Sequence, residues 1–118
     1  MSEIQGYDEL LKQFAKIENL NWVQAEQKGM EVVAEEARAI VPVDTGALQS
    51  TIRVETVGEE VQLVAGGDGF DYSLYVEFGT VKMAAQPSMR PAIDNKEREM
   101  LKVIAADLEA KMRKIAND

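Results

Sequence analysis

The apolar residues of this chain keep a helical period toward both ends and a two-residue period between them, and the first change of period falls at Pro42. Val23, Met30, Val33, Ala37 and Ile40 recur in steps of three, four or seven, which places them on one side of a helix. Asn21 stands where it can cap that helix, and Pro42 stands where it must end. Past Pro42, Ile52, Val54 and Thr56 alternate with Arg53 and Glu55, and Val61, Leu63 and Ala65 alternate in the same way. These two runs predict an antiparallel hairpin with its tip at residues 57–60. From Ala92 onward the helical period returns in Ile93, Met100, Leu101, Ile104, Leu108, Met112 and Ile115, with Pro91 in a first turn that tolerates it.

A shorter stripe, Leu10, Leu11, Phe14 and Ile17, predicts an amphipathic helix over residues 7–18 with Lys12, Lys16 and Glu18 facing out. Residues 72–78 fit either a strand or one to two helical turns, and Gly79-Thr80 ends that element. Residues 81–91 hold Met83, Met89, Pro87 and Pro91 without a sustained period, so they read as an extended loop, unusually apolar for one. The expected architecture is α+β: a small antiparallel sheet packed against a long helix in the N-terminal half and a long C-terminal helix. With 118 residues and no repeat or linker, residues 1–118 read as a single domain, with fraying ends at 1–6 and 116–118.

The chain has no Cys and no His. That removes thiolate and imidazole metal ligands, disulfides, and the usual base for a Ser or Cys nucleophile. No cofactor and no metal is expected. The nearest approach to a hard-cation site is Asp68 within the Gly-rich turn 66–69 and Asp71 just after it, which read better as a solvated turn. That turn also lacks the Lys-Ser/Thr and helix start of a phosphate loop. The formal charge of −8 is spread along the chain and no segment forms a basic stripe, so specific nucleic-acid binding is not expected. Lys111, Arg113 and Lys114 suit the last turns of a helix. The polar, acidic N-terminus does not look like a signal peptide, and no apolar run approaches the length of about 20 residues needed to span a bilayer.

Asp44-Thr45-Gly46-Ala47 matches the active-site tetrapeptide of retropepsin-like aspartic proteases, which pair two such Asp carboxylates across a dimer. Those enzymes are all-β, whereas here the tetrapeptide follows a helix-ending Pro42. In that setting Asp44 or Thr45 caps a turn and Gly46 supplies a permissive backbone. A dimeric protease using Asp44 therefore stands as the alternative, and a toxin-like or regulatory binding module as a third reading that the sequence neither supports nor opposes.

Three ordered segments carry a different likeness. Val41-Pro42-Val43-Asp44-Thr45-Gly46-Ala47-Leu48-Gln49-Ser50-Thr51-Ile52 is followed by Tyr72-Ser73-Leu74-Tyr75-Val76-Glu77-Phe78-Gly79-Thr80, and then by Met83-Ala84-Ala85-Gln86-Pro87-Ser88-Met89-Arg90-Pro91-Ala92. Together they resemble the signature blocks of the tail-completion or neck proteins of long-tailed bacteriophages and prophages, over roughly residues 20–118. The chain departs from that pattern at Ser88, where an aromatic is usual, and at Met89, where Leu is usual.

The resemblance implies a structural, non-enzymatic virion assembly protein that forms a homo-oligomeric ring and joins the tail to the head connector. Its partners would be the connector and the tail tube or tail terminator, with no membrane involved. It would be made in the host bacterial cytoplasm and retained in the virion. Pro42, Asp44, Thr45, Gly46 and Leu48 would form the structural motif. The expected interface is Glu77, Phe78, Gly79, Thr80, Met83, Gln86, Pro87, Met89 and Arg90. Phe78 reads as core, and Glu77 between two apolar residues calls for a partner, for which Arg90 is the nearest candidate.

Overall fold

The computed structural model describes residues 2–17, 19–40, 51–65, 72–77, 80–83 and 90–117. Three helices and four strands follow in chain order: α1 Ser2–Phe14, α2 Trp22–Ile40, β1 Arg53–Val57, β2 Glu60–Ala65, β3 Tyr72–Glu77, β4 Thr80–Met83 and α3 Arg90–Asn117. The α+β expectation holds. The sheet is an antiparallel meander in the order β1-β2-β3-β4.

Asn21 starts α2 as its spacing predicts. Its side-chain Oδ1 accepts a hydrogen bond from the Gln24 backbone N–H at 3.0 Å, satisfying a donor that the first helical turn leaves without a partner. The chain turns into this cap through Asn19, held at φ 68°, a conformation that Asn tolerates better than most residues. At the β1–β2 tip, Val57 faces Glu60 across a two-residue turn. Gly58 occupies the first central position at φ 62°, as a type II′ turn requires, and this turn matches the twist of the strands it joins.

α2 lies at the centre of the packing. It contacts β1, β2 and β3 on one side and α3 on another, while α1 reaches the body mainly through α3. Two buried sides require a wide stripe, and Trp22, Ala25, Glu26, Gly29, Met30, Val33, Ala34 and Ala37 are all buried. Of the stripe expected from the sequence, Val23 is only half-buried and Ile40 is exposed. The opposing layer of the core comes from Val61, Leu63, Ala65 and Val76 of the sheet and from Met100, Leu101, Ile104 and Leu108 of α3.

Several boundaries differ from expectation. The first helix was expected over 7–18 but spans Ser2–Phe14; a tight turn follows, in which Ile17 N–H bonds to the Phe14 carbonyl. Residues 72–77 resolve as strand, paired with β2 from Val61↔Val76 to Ala65↔Tyr72. The expected loop 81–91 is corrected at its start, because Thr80–Met83 form a fourth strand paired from Glu77↔Thr80 to Leu74↔Met83. Gly79-Thr80 thus belongs to a strand-to-strand connection. Four residues of alternation are too few to register against the two prolines that follow. At the far end of α3, Ile115 is exposed because this 28-residue helix outruns the 19-residue α2 beside it.

The α2–α3 seam is the closest approach in the fold. A Cβ built on Gly29 would lie 2.7 Å from Ile104 Cγ1 and 3.0 Å from the Met100 carbonyl oxygen, so only glycine fits without displacement. Beside it, Asp107 of α3 accepts hydrogen bonds from Lys28 of α2 at 2.6 Å and from Lys111 one turn along. Farther along the seam, Asn95 Nδ2 donates to Glu36 at 2.9 Å. Burial pushes the Asp107 carboxyl upward, but the hydrogen bonds and charges of Lys111 and Lys28 outweigh it and hold the group below the ordinary value of 3.8.

Gly29→Ala should lower stability by about 1–2 kcal/mol in urea unfolding, because overpacking outweighs the gain in helix propensity. Gly6→Ala on α1, where a Cβ meets nothing within 4 Å, should be neutral or stabilising. Asp107→Asn should cost stability at pH 7. Since the folded carboxyl titrates below its unfolded value, that difference should persist above about pH 4 and close as pH falls further, which denaturation curves from pH 2 to 7 will show.

Candidate assembly surface

β4 is the last strand in the sheet order, and among the described residues no strand pairs with its outer edge. A strand edge presents backbone donors and acceptors that another chain can pair with. Along the β3–β4 hairpin, Glu77 and Thr80 are register partners at the turn. Alternation puts position 77 on the face opposite the buried Val76, which removes the apparent discomfort of an acid between two apolar residues. Position 83, paired with Leu74 and through it with Leu63, falls on the face that α2 covers.

Of the other expected interface residues, Arg90 opens α3, while Phe78, Gly79, Gln86, Pro87 and Met89 lie outside the described residues. Pro42, Asp44, Thr45, Gly46 and Leu48 also lie outside them, as do Asp68 and Asp71. The two ends of the segment that carries the 42–48 motif are nevertheless tied together. The Arg38 guanidinium, near the end of α2, donates from Nε and Nη2 to the Ile52 carbonyl at 3.3 and 3.0 Å, immediately before β1. Arg38 was not anticipated as a contributor, since an Arg near a helix C-terminus reads first as a partner of the helix dipole.

The outer face of the sheet is polar. Arg53 donates to Glu55 at 2.6 Å along β1, and Gln62 donates to Glu60 at 2.9 Å along β2. Val64 interrupts this polarity, being fully buried on the face opposite Leu63. A second concave surface lies between α1 and α3, an open groove of about 440 Å³ lined by Gly6, Tyr7, Leu10, Arg98 and Lys102. Among the described residues no cluster of three or more acids could hold a metal ion, and no helix is long and apolar enough to cross a membrane. A four-stranded sheet flanked by three helices is also not the all-β frame of a retropepsin-like dimer.

No curated protein and no solved structure matches the chain. A family model described as "Bacteriophage HK97-gp10, putative tail-component" matches residues 8–79, more than half of the chain. The match takes in α1 from Asp8 onward, α2, the whole 41–52 block and the 72–80 block up to Gly79, and it ends before β4 and α3. The chain thus belongs to the HK97 gp10-like family of bacteriophage tail components.

Proposed function

We propose that this protein is a tail-completion or neck subunit of a long-tailed phage or prophage, a non-enzymatic ring component that joins the tail to the head connector. The observation that carries the reading is the family match across residues 8–79, which includes two of the three ordered blocks. The β3–β4 hairpin and the segment after it form the contact surface, through Glu77, Phe78, Gly79 and Thr80, and through Gln86, Pro87, Met89 and Arg90. The β4 edge supports this, since among the described residues no strand pairs with it. Met83, on β4, belongs to the same contact surface. Ordering such a surface costs conformational entropy, so the ring is weak in free solution and strong where a symmetric template gathers subunits.

Deleting the gene should leave filled heads and separate tails that do not join, as seen by electron microscopy, and the wild-type gene supplied in trans should restore particles. Complete particles without the protein would exclude this role. Asp44→Asn should restore particles as well as wild type does; acid-optimum peptidase activity that vanishes in this variant would establish the protease instead. Met83→Glu combined with Met89→Glu should fold normally by circular dichroism yet block joining, whereas unfolding of the double variant would place the methionines in the core and overturn the contact surface.

A further inference from the structure

Two features outside the β3–β4 hairpin are complementary in charge, and each carries apolar surface. The α1–α3 groove has apolar walls in the half-buried Tyr7 and Leu10 and cationic walls in Arg98 and Lys102. Lys102 is exposed and makes no hydrogen bond or ion pair among the described residues, on a chain whose net charge is −8. The β1–β2 tip offers the counterpart. Val57 is 60% exposed, the most exposed large apolar residue described, and Glu59 beside it is exposed and likewise unpaired among the described residues. The other two exposed apolar residues described, Ile40 and Ile115, have no acid within two residues in sequence, whereas Val57 has Glu55 and Glu59.

We infer that the groove between α1 and α3 receives the β1–β2 hairpin tip of a second copy of this chain, with Val57 against Tyr7 and Leu10 and Glu59 against Lys102. The inference rests on the ring reading above and names its contact. The tip does not fill its own groove: Glu59 lies against the α1–α2 connection, beside Ala15, Asn21 and Trp22, while the groove opens at the Gly6–Leu10 part of α1. Tip and groove are different patches on one molecule, so their union is head to tail. Repetition of such a contact closes a ring when the rotation permits. The type II′ turn holds the tip in one conformation, which limits the entropy lost on docking.

Sedimentation velocity on the full chain over rising concentration provides the test. Wild type should associate reversibly. Lys102→Glu and Glu59→Lys should each weaken association about tenfold, because like charges then meet, and the double variant should recover most of the loss. Both positions are exposed, and circular dichroism should show an unchanged fold. Carbodiimide coupling in a mixture of ¹⁴N and ¹⁵N chains should join Lys102 of one chain to Glu59 of the other.

If wild type associates but the single variants do so equally, or the double variant does not recover, this contact is wrong while the ring reading stands. A Lys102 cross-link in purified particles to a different virion protein overturns the choice of a second copy. A wild-type chain that stays monomeric both at every concentration and in cross-linked particles overturns the contact and the ring together.

Discussion

The fold depends on how closely α2 and α3 approach at Gly29. A helix with one buried face leaves the other to solvent, but α2 is buried on two sides, against the sheet and against α3. Small residues make that possible. Ala25, Gly29, Ala34 and Ala37 let neighbouring elements come near the helix axis, while Met30 and Val33 fill the remaining space. α1 in turn is held chiefly by α3, through Leu11 and Phe14, so its docking follows from the α2–α3 seam. The ionic group at Lys28, Asp107 and Lys111 fixes the relative alignment of the two helices, where apolar contact alone tolerates sliding.

Much of this was legible in the sequence because it arises from local rules. The Asn21 cap, the hairpin tip at 57–60 and the α3 stripe from Ile93 to Leu108 each need only a few neighbouring residues to specify them. What was illegible depends on distant partners. The burial of Ala25, Gly29 and Ala34 carries no strong hydrophobic signal, since their role is to be small opposite a particular residue of α3. Ile40 and Ile115 continue their stripes in sequence but emerge because the neighbouring elements stop short of them. β4 is read only through its pairing with β3, and that pairing also moves residue 83 from the expected loop into a strand. The candidate surface was half legible. Its position near residues 77–83 followed from the motif blocks, whereas the division into faces required the register.

The charge distribution follows the same division between local and assembled order. Lys12 with Asp8, Lys96 with Glu99 and Arg113 with Glu109 pair within single helices, where they contribute little beyond solubility. Asp107 is different, with a side chain only 11% exposed and two lysines from two helices converging on it. The chain as a whole carries a formal net charge of −8, so most of its acids have no such pair of cations to converge on them.

The Arg38 bridge to the Ile52 carbonyl has a consequence for how such a protein can vary. Since one guanidinium pins the points where the chain leaves α2 and enters β1, the closure of the intervening stretch is already enforced by the body of the fold. Lengthening a closed stretch then costs only logarithmically, about 0.6 kcal/mol for each doubling. Between those two anchors, an added residue is therefore cheap in closure entropy, whatever it costs in other respects.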